Sequence, residues 1–270
     1  MFILFNSQII NADRSFLETF TPGILKAKGV FETIRVYKNG MFGLDKHLKR
    51  MREGLKFFHL KMPYSLEEWS ACVHQLLILN HLKEARVRLM AWQAKNKFET
   101  AIICQPLSIL KENQSREGFK ASLLILKKDK RQFPHIKSLD YAFLRKAFLA
   151  AKRQGTDEAI LVNKSGFLTE GTRSNIFFVK QEILYTPALQ TGCLRGITRG
   201  YVIELAKDLG ILCKAVQAKP KELFEADEAF LTNSVMEIMP LVKVENTVIG
   251  RGEIGPITCK IIKAYKELKR

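Results

Sequence analysis

Glu170-Gly-Thr-Arg-Ser-Asn175-Ile-Phe-Phe-Val179 is the stretch whose reading decides the fold. Just upstream, Ala159-Ile-Leu-Val162 is a short apolar run and reads as a buried strand. Lys164-Ser165-Gly166 is a turn, and Phe167-Leu168-Thr169 resumes in extended form. Glu170 then falls where a strand gives way to Gly171-Thr172, a place from which an acid can face a pocket instead of water. Asn175 to Val179 is the next strand. Downstream, Gly196-Ile197-Thr198 precedes an amphipathic run with Val202, Leu205 and Leu209 on one face and Gly210 as its stop. A small-residue turn that opens a helix presents backbone N–H groups and the positive end of a dipole, which suits a phosphate. Farther back, His135-Ile-Lys137-Ser-Leu-Asp140-Tyr141 leads into a helix pattern that runs to Lys152.

A lysine, a carboxylate and an anion site are the three needs of pyridoxal phosphate: a Schiff-base amine, a partner for the pyridinium nitrogen and a phosphate cup. The ordered series Glu170-Gly-Thr-Arg-Ser-Asn175-Ile-Phe177, Leu184-Tyr-Thr186-Pro187 and Leu194-Arg-Gly-Ile-Thr-Arg199 resembles the signature of the class IV (fold type IV) pyridoxal-phosphate enzymes. That group holds branched-chain aminotransferases, D-amino acid aminotransferases and aminodeoxychorismate lyases. Gly29-Val-Phe-Glu-Thr-Ile-Arg-Val-Tyr37, Asp45-Lys-His-Leu-Lys-Arg50 and Ala226-Asp-Glu-Ala-Phe-Leu-Thr-Asn-Ser234 extend the resemblance over nearly the whole chain. It implies an α/β (α+β type) protein of two domains, similar to D-amino acid aminotransferase, assembled as a homodimer.

Bulk properties bound the alternatives. A chain of 270 residues accommodates one large or two smaller domains, each with its own core. No apolar run approaches the length of a membrane span, and Met1-Phe-Ile-Leu-Phe-Asn6 reads as a first strand, not a leader. Five scattered cysteines without a Cys-x-x-Cys pair fit a reducing cytoplasm. The histidines form no ligand cluster, and no metal site is expected. The net charge of +17 could mark a nucleic-acid or membrane partner. The positive charges are spread through every segment, however, and the densest run, Lys127-Lys-Asp-Lys-Arg131, is interrupted by an acid. Aromatic and basic residues do not interleave as a single-strand platform requires. A generally basic surface that draws in anionic substrates is the simpler reading.

The chain in order divides at a polar stretch. Residues 1–106 form an N-terminal α/β domain, 107–118 a linker and 119–270 a C-terminal cofactor-binding α/β domain. In the first, residues 2–5 and 8–10 are strands and 14–28 are irregular. Val30 to Tyr37 alternates as a strand, and Lys38-Asn39-Gly40 turns it back through the positive φ angles that Asn-Gly accepts, with Met41 to Leu44 returning. Asp45 serves as the N-cap of a helix carrying Leu48, Met51 and Leu55 inward, and Ser65-Leu-Glu-Glu68 is a capping box for a second helix. Arg86-Val-Arg-Leu-Met-Ala-Trp92 alternates, which puts Arg86 and Arg88 on one strand face that meets water or reads a substrate carboxylate. Farther on, Glu228 to Thr232 is a strand ending in Asn233-Ser234, and the tail from Pro256 is an amphipathic helix.

Site roles follow from the resemblance. Lys137, otherwise one surface lysine among many, matches the catalytic lysine, and Glu170 the acid against the ring nitrogen, with Asn175 beside it. Arg50, alone a solvated helix arginine, matches the phosphate-binding arginine within His47-Leu-Lys-Arg50; a guanidinium fork suits a phosphate better than an ammonium does. Ile197, Thr198 and Ser234 complete the phosphate contacts. Phe31, Arg86 and Arg88 are the substrate-binding candidates. Phe31 stands where D-amino acid enzymes place a tyrosine, and Asp140 where they and the lyases have Asn. Thr232-Asn233-Ser234 is similar to the lyases, and Glu237 to the transaminases. The implied function is a pyridoxal-phosphate-dependent aminotransferase acting between an amino acid, branched-chain among the candidates, and a 2-oxo acid. The alternative is aminodeoxychorismate lyase, which eliminates pyruvate to give 4-aminobenzoate for folate synthesis. A basic nucleic-acid-binding protein on this scaffold is a third reading, against which the signature over 170–199 argues.

Overall fold

The structure, a computed structural model, describes residues 1–13, 24, 27–95, 97–107, 117–126 and 135–269. The chain divides into two compact units: Met1–Ser108 with Ile136–Ala142, and Ile109–His135 with Phe143–Arg270. Most of the 107–118 linker, most of the irregular 14–28 piece and the basic run 127–131 lie outside the described residues.

The first unit is built on a six-stranded sheet. Its strands are β1 (Phe2–Phe5), β2 (Gln8–Asn11), β3 (Lys28–Tyr37), β4 (Gly40–Met41), β5 (Ala85–Ala94) and β6 (Lys97–Pro106), in the order β2-β1-β6-β5-β3-β4 and all antiparallel. Helices α1 (Leu44–Phe57) and α2 (Leu66–Leu79) cover one face. Strand alternation decides which side chains they meet. Val30, Ile34 and Val36 of β3 and Val87, Leu89 and Ala91 of β5 pack with Leu48, Met51 and Leu55 of α1 and Trp69, Val73 and Leu76 of α2. Each such leucine, fully buried, is worth about 1.5–3 kcal/mol. This burial, more than helix propensity, holds helices of 14 residues. On the other face, Phe31, Met90 and Trp92 join Ile3, Ile103 and Leu139.

Two local expectations are corrected. The N-cap of α1 is Gly43, at φ 66, and Asp45 lies in the first turn instead. The chain leaves β4 and enters the helix within two residues, and that reversal takes a left-handed residue, which glycine supplies without steric cost. Asp45 still favours the helix, because an anion in the first turn meets the positive end of the dipole. In the hairpin, Gly40 has positive φ (127°) and Asn39 does not, and the returning strand is only Gly40–Met41 because Leu44 already begins the helix. The capping box forms as read: Ser65 Oγ accepts from Glu68 N at 3.1 Å and Glu68 Oε2 from Ser65 N at 2.7 Å.

A third difference matters for the site. Residues 136–142 group with the first unit, although the sequence reading put everything after 119 in the second domain. Backbone hydrogen bonds are the cause. Phe31 N donates to Lys137 O at 3.0 Å, Leu139 N donates to Gly29 O at 3.0 Å, and Val30 and Ser138 form an antiparallel bridge. The segment thereby satisfies the exposed edge of β3.

The second unit is a nine-stranded mixed sheet. Its strands are β7 (Phe119–Ile125), β8 (Glu158–Val162), β9 (Leu168–Gly171), β10 (Asn175–Lys180), β11 (Ile183–Pro187), β12 (Cys213–Val216), β13 (Glu228–Asn233), β14 (Glu237–Val244) and β15 (Thr247–Val248). The order is β12-β11-β10-β13-β14-β7-β8-β9, with β15 on β14. The helices are α3 (Ala142–Arg153), α4 (Ile197–Asp208), α5 (Pro220–Phe224) and α6 (Pro256–Leu268). One core gathers Ile160, Val162, Leu168, Ile176, Phe178, Leu231 and Met239. On the opposite side of β10 and β13, Phe177 stacks on Phe230 with centroids 5.0 Å apart.

Candidate active site

In the first unit, β3 carries Glu32 on its helix-facing side, an acid among valines and isoleucines, 0% exposed. A carboxylate there needs partners. Arg50 Nε donates to Glu32 Oε1 at 2.7 Å and Nη2 to Oε2 at 2.6 Å, and His47 Nδ1 lies 2.7 Å from Oε2. One helical turn separates His47 from Arg50, so both reach the same carboxylate. Burial pushes the Glu32 carboxyl up, but Arg50 and His47 outweigh it and hold it at about 2. Burial likewise lowers His47, against the pull of Glu32 and with the help of Arg50 and Lys137. The grip on two nitrogens fixes the plane of the Arg50 guanidinium. Sequence reasoning missed both Glu32 and His47. The available signal was a lone acid at an inward position of an apolar strand.

On the other face of β3, the Lys137 amine lies 4.6 Å from the centroid of the Phe31 ring, and the Arg88 guanidinium carbon lies 5.1 Å from it. Tyr141 meets Phe31 edge to face at 5.6 Å. Three of the sequence candidates, Phe31, Arg88 and Lys137, are thus brought together. Arg86 is not with them: it is exposed and donates to Gln105. Arg88 is half-buried, and burial, aided by Arg86, lowers it to about 10 against the opposing pull of Tyr141. A cation this poorly hydrated suits an anionic ligand group.

In the second unit, Glu158 at the start of β8 collects donors from the loop after β9. Its oxygens accept from Thr172 N at 3.1 Å, from the Thr172 hydroxyl, from Arg173 N at 3.3 Å and from Ser174 Oγ at 3.0 Å. That loop joins Glu170 at the end of β9 to Asn175 at the start of β10. Glu170 is buried, and its Oε2 accepts from Leu194 N at 2.8 Å and Asn175 Nδ2 at 3.3 Å, while Asn175 Nδ2 also donates to Leu194 O at 2.9 Å. Asn175 then packs against Gly196: a Cβ there would lie 1.9 Å from Asn175 Oδ1. Only glycine fits, and it leaves α4 without a side-chain cap at its N-terminus, where Ile197 and Thr198 begin the helix. Ser234 sits in the turn after β13, shaped by Asn233, whose Oδ1 accepts from Val235 N at 2.9 Å and Met236 N at 2.8 Å. Glu158 and Asn233 are further residues that the sequence reading left out of the site.

Among the described residues there is no group of three or more metal-ligating side chains, and no helix is long and apolar enough to cross a membrane.

Two α/β units carrying these side chains define an enzyme of fold type IV. The chain belongs to the class IV aminotransferase family, whose model matches residues 29–244. It is 32% identical over its whole length to a Methanocaldococcus jannaschii protein provisionally named a branched-chain-amino-acid aminotransferase, covering 96% of that protein. It is 34% identical to the aminodeoxychorismate lyase of Bacillus subtilis, over 98% of this chain and 94% of the relative. The crystal structure of a branched-chain aminotransferase from the thermophilic archaeon Thermoproteus uzoniensis with norvaline superposes with a TM-score of 0.86 at 31% identity, covering 99% of this chain and 94% of that one.

The donor chemistry fits a phosphorylated pyridine aldehyde. The uncapped start of α4 offers backbone N–H groups to a phosphate. Glu170 is a buried carboxylate of the kind that stabilises a protonated ring nitrogen. Lys137 supplies a primary amine.

The Glu32 cluster yields a pH prediction. A carboxyl held below its unfolded value stabilises the fold above about pH 4.5, and that contribution is lost as pH falls toward about 2. His47, also depressed, adds to the loss once pH drops below 6.5. Glu32→Gln should therefore flatten the acid side of a stability-against-pH curve, read from urea midpoints, while lowering stability at pH 7. A mutant curve parallel to the parent's between pH 5 and pH 2.5 would remove the cluster as the cause.

Proposed function

We propose that this enzyme is a pyridoxal-phosphate-dependent aminotransferase that moves an amino group between an amino acid and a 2-oxo acid, with branched-chain amino acids as the leading substrate class. The observation that carries the reading is the placement of Lys137. Its segment is tied into β3 by backbone hydrogen bonds, and its amine stands over Phe31 beside Arg88. Membership of the class IV family supports it.

When bound, pyridoxal phosphate supplies a ring that accepts the electron pair left at the amino acid's α-carbon. The protein does the rest. Lys137 Nζ would hold the cofactor aldehyde, and its amine would move the α-proton as general base. Glu170 keeps a proton on the ring nitrogen, and Asn175 and Leu194 N–H keep Glu170 in place. Arg50, aimed by Glu32 and His47, would bind phosphate. The backbone N–H groups of Ile197 and Thr198, with Ser234, are the other phosphate-binding candidates. Arg88 reads a substrate carboxylate, and Phe31 and Tyr141 present an apolar wall to an aliphatic side chain. Arg86 leaves the proposed substrate set, because its side chain is committed to Gln105 in solvent. The active form is a homodimer in the cytoplasm, a compartment that suits five free cysteines.

The lyase is the second reading, favoured by the 34% identity to the Bacillus subtilis enzyme and by Thr232-Asn233-Ser234. Two assays separate them. Leucine with 2-oxoglutarate should yield glutamate, and aminodeoxychorismate alone should release no pyruvate; the reverse pattern makes the chain a lyase.

Glu170→Gln tests the electronics. It keeps size and hydrogen bonding but removes the charge, so the cofactor should stay bound while α-proton removal slows by about a hundredfold or more. The isotope effect with an α-deuterated amino acid should persist or grow. Turnover at the parent rate with cofactor in place would make Glu170 a structural acid.

A further inference from the structure

One ring in the first unit carries two cations. Phe31 is 6% exposed, yet the Lys137 amine stands over its ring at 4.6 Å from the centroid and the Arg88 guanidinium carbon at 5.1 Å. Tyr141 meets the same ring edge to face at 5.6 Å. The face of an aromatic ring is its negative side, and it attracts a cation more strongly as water is excluded. An aliphatic side chain would complete the cluster of Ile3, Met90, Ile103 and Leu139 equally well, but it would offer the cations nothing.

The backbone explains why these groups converge. Phe31 is directly opposite Met90 on β5, which makes Arg88 its diagonal neighbour on the same sheet face. Phe31 N donates to Lys137 O at 3.0 Å, and the bridge between Val30 and Ser138 holds the adjoining residues in register. The lysine is therefore held to Phe31 twice, by its main chain and by its amine. A lysine stem is flexible, and fixing both of its ends limits where the amine can go. The other titratable and charged groups of the first unit in this neighbourhood are Arg88 on β5, Tyr141 on the lysine's own segment and His47 on α1, which Lys137 helps to keep neutral, with Glu32 and Arg50 behind it.

We propose that Phe31 is a positioning residue for Lys137: its backbone fixes the course of the lysine's main chain, and its ring holds Nζ and stabilises it as an ammonium. This rests on the reading of Lys137 as the base that takes the α-proton. When the Nζ lone pair takes that proton, the nitrogen gains a full positive charge, and the ring meets the charge where it forms. The apolar wall that Phe31 offers a substrate side chain is a separate contribution of the same residue.

The test compares the full-length parent with Phe31→Leu, which removes the ring, and Phe31→Tyr, which keeps it. Each protein, stripped of cofactor, is labelled with trace acetic anhydride across a pH series, and the peptide containing Lys137 is quantified by mass. Only the neutral amine reacts, so losing the ring should move the Phe31→Leu profile to lower pH by about 0.5–1.5, with the high-pH plateau unchanged. Phe31→Tyr should keep the parent midpoint. With cofactor restored and leucine saturating, α-proton removal should slow in Phe31→Leu and recover in Phe31→Tyr. If Phe31→Leu fails to fold, Phe31→Met, closer to phenylalanine in volume and also without a ring, takes its place. Superposable profiles in parent and ringless variant would overturn the proposal, and so would a changed plateau at an unchanged midpoint, which reports access alone. A Phe31→Tyr midpoint displaced as far as that of Phe31→Leu, or α-proton removal at the parent rate without the ring, would overturn it too. A parent that removes no α-proton while its labelling profile still depends on the ring would instead overturn the reading of Lys137 as the base.

Discussion

A carboxylate taken out of water must be met by donors or cations, and in each unit that demand fixes the segments that matter. Glu32 is met by Arg50 and His47, which ties α1 to β3 and sets the plane of a guanidinium. Glu158 is met by the loop of Thr172, Arg173 and Ser174, which sets the spacing between Glu170 and Asn175. Glu228 repeats the device. It accepts from Ile257 N at 3.0 Å and Thr258 N at 2.7 Å, and so caps α6, whose N-cap residue Gly255 has no side chain to do so. Removing one partner of such a group leaves a charge buried without compensation, so these contacts tolerate little substitution.

The sheets place the chemistry by alternation. Along β3, Val30, Glu32 and Ile34 face the helices while Phe31 faces the other way, so one strand serves both the Arg50 cluster and the Lys137 cluster. Along β10 and β13, the core takes Ile176, Phe178 and Leu231, and the opposite face carries Asn175 and Thr232. A one-residue slip in either pairing would exchange the two sets, which is why core packing and site geometry are specified by the same register. The net charge of +17 acts at longer range. It favours the approach of a phosphate and of carboxylate substrates without choosing among them.

Much of this was legible in the sequence because it is local. The run from Glu170 to Val179, the turn at Gly196 and the helix after it each announce themselves within a few residues, and Ser65 and Glu68 cap their helix as spaced. What escaped is non-local or steric. The partners of Glu32 lie on the following helix, beyond the turn, and a strand pattern cannot say which acid is met by which cation. The grouping of Lys137 with the first unit depends on an edge of β3 more than a hundred residues earlier in the chain. The cap of α1 fell to Gly43 because the backbone reversal, not the side-chain oxygen of Asp45, was limiting. Arg86 and Arg88 look equivalent in an alternating strand, yet Arg88 is half-buried over the Phe31 ring while Arg86 is exposed and donates to Gln105.

The central claim is that Lys137 is the amine that holds pyridoxal phosphate. Its most direct test is to load the purified protein with the cofactor, reduce it with borohydride, digest it and map the peptides by mass. The account predicts a phosphopyridoxyl label on the peptide containing Lys137, and no near-visible absorbance or label in Lys137→Ala. A label on any other lysine, or a Lys137→Ala protein that still takes it, would contradict the account.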